Sequence, residues 1–563
     1  MGDESLIRLD NVQLKTGYTC DVLFRDLEKS GMQLFNLDWV KRNIVLTNAS
    51  LLTQCTVISR NADFTRHVKE LIGAKGIDVV GIDLGANPAS QIDSIGNTDT
   101  LIYLASHEKF LNAADIAAHE LREFESLRLI ANRIAERHHE AKPQLWVLTQ
   151  GVQVSGEQFN TVGLSGSGLW GLGRVIAKEY PAIEVGLIDL PVKQVGDEEI
   201  ASVLAVMTTK HEQREFLIRD HCTWQRQVGP LVVSQEQAEI KQNANYLITG
   251  GFGDTGRMLA ERLFAAGARH VTLMGRSAPP ANFITEFEQR KAQGCNLHFF
   301  QGDVADIEDV KAVLRRIDRT GHPLRGIYHL ASVVEDALLT TLNSRSVEKV
   351  FRSKIAGVWN LHLATQELSL DRFITLSSLS EIIGVAGQGA CAAANAFVDA
   401  LMRYRVAIGL PGTAIAWEPG GDIKNIMDTV IRADIPHYAG LIAGNFSQVA
   451  LERMIYQQEP VNDIESAAFG STQSDDAMVT PEKPSHEEQR QAMTEIVIEE
   501  LKKLVAGGNV TADTKLSEID MDSMSAVTIA QRLRGIIGKL VPMSVFFDDC
   551  SISELVEKLK RYF

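Results

Sequence analysis

Cysteine is scarce in this chain. Its 563 residues hold six, at positions 20, 55, 222, 295, 391 and 550, with no CxxC pair and no metal-ligand spacing. Thiols scattered in this way exclude a disulfide scaffold and a structural zinc site, and they suit a reducing compartment. Long apolar runs are also missing. None approaches the ~18 residues that a membrane span requires, and the N-terminus lacks the charged, apolar and small-residue order of a secretory signal. Positive charge is in deficit, 56 Lys and Arg against 72 Asp and Glu, for a formal net charge of −16. Such a chain offers no broad cationic surface to nucleic acid or to an anionic bilayer. These absences lead us to expect a cytoplasmic protein without nucleic acid, membrane or metal as partner.

What is present points to several folding units, because a chain this long exceeds one core. The first 42 residues read as a lead-in with short strands, around Leu6–Leu9, Cys20–Phe24 and Gln33–Leu37. From residue 43 a regular rhythm begins. Strand-like runs at Thr56–Ser59, Ile77–Ile82, Thr100–Ala105, Leu145–Thr149 and Val185–Leu190 alternate with helical patterns such as Ala113–His138 and Gly168–Glu179. The rhythm restarts near Asn245, with strands expected at Tyr246–Thr249, His270–Met274, Leu297–Gln301, Gly326–Leu330, Phe373–Ser377 and Gly412–Trp417. Strands alternating with amphipathic helices predict an α/β fold with a parallel sheet covered on both faces.

The halves echo each other. LWVLTQG followed by GLSGSGLWGLGRVIAKEYPAIEVGLIDL parallels FITLSS followed by GVAGQGACAAANAFVDALMRYRVAIGLPGTAIAW. We therefore expect two doubly wound Rossmann-like subdomains, a structural one over 43–235 and a catalytic one over 236–458. Residues 459–487 are poor in apolar side chains and rich in Asp, Glu, Ser, Thr and Pro, which predicts a flexible linker. A small helical domain closes the chain at 488–563, with helices expected over 490–504, 523–537 and 552–562.

In the second half, Thr249-Gly250-Gly251-Phe252-Gly253-Asp254-Thr255-Gly256 leaves a strand and opens a helix. Glycines so placed allow a tight turn and let a pyrophosphate approach the helix N-terminus. Arg276 stands at the end of the next strand, where an acidic residue would favour NAD, so a 2′-phosphate and hence NADP(H) is expected. Asp303 ends the third strand, where it either meets the adenine or caps the following helix.

The stretch RFITLSSLSEIIGVAGQGACAAANAFVDA (372–400) organises this half. With TGGFGDTG (249–256), HLASVVEDALL (329–339) and SKIAGVWNLH (353–362), it resembles the ketoreductase domain of modular polyketide synthases. That domain is a relative of the fatty acid synthase ketoreductase within the short-chain dehydrogenases. The resemblance spans about Asn43 to Gln458, strongly in the second half and only in layout in the first. It implies reduction of a β-ketoacyl group by NADPH, with a serine, tyrosine, lysine and asparagine as the catalytic tetrad. Lys354, Ser378 and Asn395 take three of those places, and Cys391 stands where the family has tyrosine. Three readings follow: a redox-silent pseudo-ketoreductase, slow reduction through Ser378 and a water, or a Cys391 thiolate beside Lys354 with another role. The first is the one we adopt.

Near the C-terminus, Ser517-Glu518-Ile519-Asp520-Met521-Asp522-Ser523-Met524 opens a helix with an apolar face. It resembles the acyl carrier protein signature, with Asp520 at a usual glycine. The resemblance makes Ser523 the attachment site of 4′-phosphopantetheine, and an exposed hydroxyl at a helix N-terminus suits a phosphodiester. An ordinary helix cap is the plain alternative. The expected protein is thus a ketoreductase–acyl carrier segment of a type I polyketide synthase. Its implied partners are the tethered β-ketoacyl thioester, the other synthase domains, a phosphopantetheinyl transferase and a dimeric assembly. The weak start and the lack of a ketosynthase suggest a segment of a longer synthase.

Overall fold

The computed structural model describes residues 33–230 and 239–417, apart from short stretches within them, and also residues 431, 440–444, 451, 455, 514–515, 551 and 554–555. The expected linker, Ser523 and almost all of the expected C-terminal helices lie outside the described residues.

The chain opens with β1 (Gln33–Arg42). The N-terminal half continues with β2 (Gln54–Ser59), α1 (Ala62–Gly73), β3 (Asp78–Asp83), α2 (Pro88–Asp93), β4 (Thr100–Leu104) and α3 (Ala113–Ala135). It ends with β5 (Gln144–Gln150), α4 (Gly168–Glu179), β6 (Glu184–Leu190), α5 (Asp197–Thr208), β7 (Glu215–Arg219) and β8 (Cys222–Pro230). The second half begins with β9 (Asn245–Thr249), α6 (Asp254–Ala265), β10 (His270–Gly275), β11 (Asn296–Gln301), α7 (Ile307–Asp318) and β12 (Leu324–His329). It proceeds through α8 (Ser344–Phe351), a π-helical turn (Arg352–Ala356), α9 (Gly357–Thr365), β13 (Arg372–Ser378), α10 (Leu379–Ile383), α11 (Gly389–Ala407), β14 (Thr413–Trp417) and β15 (Gly440–Gly444).

All of these strands join one sheet of 15, in the order β11-β10-β9-β12-β13-β14-β15-β1-β8-β7-β6-β5-β4-β2-β3. The second half has the doubly wound order of a dinucleotide-binding sheet. The first half repeats it without a third strand, which leaves β3 at the edge. Gln33–Arg42, expected only as short lead-in structure, is the joint. It pairs antiparallel with β15 on one side and with β8 on the other. Since β8 is also antiparallel to β7, three reversals separate the halves and their parallel strands run in opposite senses. The carboxyl ends of the two sets of strands therefore face opposite rims.

Local chemistry explains the elements. Helix α7 buries Val310, Val313 and Ile317, spaced to form one stripe, and Asp306 caps it by accepting the Glu308 N–H at 2.9 Å. The strands of both halves read as nearly continuous apolar runs because both faces are covered. Helices α4 and α11, the echoed segments, pack against each other across the two halves. They approach so closely that a Cβ on Gly171 would lie 2.1 Å from the Ala392 carbonyl oxygen. Ala392 and Ala393, both buried, line this crossing against Gly168 and Gly171.

Candidate active site

The glycine turn after β9 divides its work. Gly250 has φ +68, and a Cβ there would meet the Leu330–Ala331 backbone at 2.8 Å. Gly256 lets α6 rest on the turn, since its Cβ would lie 2.6 Å from Gly251 Cα. Gly253 differs: a Cβ there would have only the Gly250 oxygen within 4 Å, at 3.7 Å, so it borders open space. It is also the N-cap of α6, and as a glycine it makes no side-chain cap bond to the amides there. In the N-terminal half the corresponding helix, α1, is closed by Asn61, whose Oδ1 accepts the Phe64 N–H at 3.0 Å. One helix start is thus occupied by the protein and the other is left open to an anion.

A cleft of about 430 Å³ lies at that open start, lined by Thr249, Gly250, Gly253, Arg276, Asp303 and Leu330–Ser332, among others. The Thr249 hydroxyl is already paired with His329 Nδ1 at 2.7 Å. Arg276 follows the end of β10, is exposed and lines the cleft. Asp303 lines the cleft but is not the cap of α7. Its Oδ1 accepts the Ala305 N–H at 2.9 Å, and Oδ2 meets Arg352 Nη2 at 3.1 Å. Gly251 and Gly256 serve the turn rather than the cleft wall. Ser332 and Ser353 also line the cleft, and of the two Ser353 carried no signal of its own in the sequence.

Lys354, Cys391 and Asn395 come together. Lys354 sits on the π-helical turn, a distortion common at functional sites, and its Nζ donates to Asn395 Oδ1. Cys391, Asn395 and Asp399 recur every four residues on α11 and so share one face. Burial lowers the Lys354 pKa, against the pull of Cys391, Asp399 and Glu381. Burial raises the Cys391 pKa, against the favourable charge of Lys354. Ser378 ends β13 and caps α10: its Oγ accepts the Ser380 N–H at 3.2 Å and lies 2.8 Å from Ser380 Oγ.

Beneath this site a buried ionic group joins the halves. Arg174 of α4 bonds to Glu381 Oε1 at 2.9 Å and to Glu215 at 2.6 and 3.1 Å, and Arg226 reaches Glu215 at 2.6 Å. Sequence reasoning passed over Arg174 and Glu381. The available signal was charge on an otherwise apolar helical face, as in GLGRVIAKEY. In the N-terminal half, His119 Nε2 lies 2.7 Å from Ser165 Oγ and its Nδ1 3.4 Å from Glu108. This serine is no exposed nucleophile, because it is 2% accessible and bonded to the Ser106 carbonyl. No group of His, Cys, Asp and Glu that could hold a metal occurs among the described residues. None of the described helices is long and apolar enough to cross a membrane.

Residues 244–422 match the KR domain family, and residues 491–559 match the phosphopantetheine attachment site family. The chain is 27% identical over 480 residues to one of the phenolphthiocerol/phthiocerol polyketide synthase subunits of Mycobacterium tuberculosis, covering 77% of this chain and 26% of that protein. It is 37% identical over 256 residues to a mycocerosic acid synthase-like polyketide synthase of Mycolicibacterium smegmatis, covering 44% of this chain and 12% of that one. It therefore spans about a quarter or less of these relatives. Among solved structures, an A-type ketoreductase from a modular polyketide synthase aligns with TM-score 0.62 at 23% identity, over 73% of this chain and 92% of that one. An adenylation, ketoreductase and pseudo Asub multidomain structure of a keto acid-selecting NRPS module aligns with TM-score 0.65 at 16% identity, over 76% and 40%. At these identities the structural likeness speaks for the fold.

Proposed function

We propose that this chain, which joins a KR domain to a phosphopantetheine attachment domain, is the ketoreductase–acyl carrier segment of a type I polyketide synthase whose reductase half binds NADP(H) without turnover. Ser523 bears 4′-phosphopantetheine, which holds the β-ketoacyl chain as a thioester. The other synthase domains and a phosphopantetheinyl transferase are its partners, in a dimeric synthase.

The residues of the cleft fit the cofactor. Gly250 makes the turn, Gly253 leaves space beside it, the α6 amides would hold the pyrophosphate, and Arg276 would hold the 2′-phosphate. When bound, NADPH supplies hydride to a carbonyl carbon. In this reading Ser378 would hydrogen-bond the carbonyl oxygen, and the Lys354–Asn395 pair supports the reading. What is missing is a proton at that oxygen. The Cys391 sulfur stands one bond beyond Cβ, a full ring short of a phenolic oxygen, and its thiol is held above its usual pKa. The observation that carries the reading is the Lys354–Asn395 pair beside a buried thiol in place of a phenol. The intact pair also keeps a second reading open, slow reduction with a water relaying the proton to Ser378.

The test has two arms. With coenzyme A and a phosphopantetheinyl transferase, the chain gains the pantetheine mass, and Ser523→Ala does not. Given a β-ketoacyl thioester, the same protein leaves NADPH unconsumed. Measurable consumption by the unaltered chain would favour the second reading, and failure of the mass gain would remove the carrier.

A further inference from the structure

Residues 330–339 run from the cofactor cleft to the start of α11 without regular secondary structure. At the near end, Leu330, Ala331 and Ser332 line the cleft. At the far end the chain is held by the other half of the molecule. Glu179, the last residue of α4, accepts the Leu339 N–H on Oε2 at 2.8 Å and the Gly387 N–H on Oε1 at 2.9 Å. Arg128 and Asn132 of α3 donate to the Leu339 carbonyl at 3.0 and 3.3 Å, and Tyr180 holds Asn132 in place through its Oδ1 at 2.5 Å. Gly387 in turn accepts the Ala337 N–H at 2.8 Å. Gln388 donates to Asp336 Oδ2 at 3.3 Å. The Leu339 side chain fills the space beside Gly389, where a Cβ would lie 2.7 Å from its Cδ2.

We infer that Glu179 is a positioning residue: one carboxylate of the N-terminal half fixes both the segment that walls the cofactor cleft and the turn that launches the Cys391 helix. A carboxylate suits this because it has two acceptor oxygens and these backbone groups offer two converging donors. The N-terminal half thereby helps to shape the cleft of the other half. The inference rests on the cofactor reading for its affinity readout but not for its local one.

The experiment compares the full-length chain with Glu179→Ala, Glu179→Gln and Glu120→Ala. Glu120 is a matched control. It is a buried carboxylate that accepts the Gly166 and Gly168 N–H groups at 2.7 and 3.0 Å, within the N-terminal half. Amide hydrogen exchange at Leu339 and Gly387, NADPH affinity by fluorescence and the thermal midpoint are measured for each. Losing both bonds should speed exchange at these two amides, and weaken NADPH binding, by about tenfold or more. Glu179→Gln should fall between, since its amide oxygen keeps one acceptor; it also carries the test if Glu179→Ala does not fold. Glu120→Ala should lower the midpoint while leaving the two amides and the affinity as they are. Unchanged exchange at Leu339 and Gly387 in the Glu179 variants, or the same local change in Glu120→Ala, would overturn the inference. If the unaltered chain binds no NADPH, the cofactor reading fails while the exchange data still decide the role of Glu179.

Discussion

At position 391 the difference between a phenol and a thiol decides the chemistry. The Cys391 thiol is buried among the alanines of α11 and kept protonated by desolvation, with Lys354 as its main opposing charge. It has the proton but not the reach. A positioned general acid contributes typically ~10²–10⁴ in rate, so Cys391→Tyr should raise NADPH consumption with a β-ketoacyl thioester by about that factor. No gain would mean that the cleft has changed beyond this residue. Gly253 tests the other function. Its Cβ position is open, so Gly253→Val should keep the thermal midpoint near that of the parent chain while NADPH binding weakens by about tenfold or more, because the side chain enters the space meant for phosphate. Retained affinity in calorimetric titration would contradict the placement of the cofactor.

At the scale of elements, the crossing of α4 and α11 holds the halves together. Gly171→Val would drive a side chain into the Ala392 carbonyl. Overpacking of this kind costs ~1–3 kcal/mol or more, visible as a lower urea midpoint, and an unchanged midpoint would show that the helices can part freely. Much of this level was legible in the sequence. Helix α4 has the expected bounds Gly168–Glu179, and the expected parallel strands fall within a residue or two of those observed. The glycine turn was legible because its spacing is local. Three features were not. Strand β1 takes its meaning from partners about 190 and 410 residues away, which no local periodicity reveals. Strands β7 and β8 form a hairpin at Asp220-His221, both at positive φ, without the usual glycine signal. Glu179 and Arg174 sit in an apolar helix, where the sequence shows the charge but not the backbone amides or carboxylates it will meet.

For the whole molecule, buried titratable groups set the pH range of stability. Desolvation holds His119 and His270 down to about 4 and His329 and His362 to about 3. Their contribution is present above the unfolded value of ~6.5 and is lost as pH falls through the folded values. Desolvation raises Glu120 to about 8 and Glu179 and Asp399 to about 7. Their contribution is present below the ordinary carboxylate range and is lost as pH rises through the folded values. The two sets oppose each other between about 4.5 and 6.5, and above that, of these two sets, the carboxylates alone change. The denaturation midpoint should therefore be lower at pH ~8.5 than at ~6.5, and Glu120→Gln should shrink the drop. A midpoint that rises over this interval would contradict the assignment.

The account as a whole depends on a carrier that delivers and a reductase that does not reduce. The most direct measurement loads a β-ketoacyl pantetheine onto Ser523 of the intact chain, adds NADPH, and follows the mass of the attached acyl group. The account predicts that the ketone persists unchanged while the thioester survives. A gain of two hydrogens on the tethered chain, without any substitution at Cys391, would contradict it.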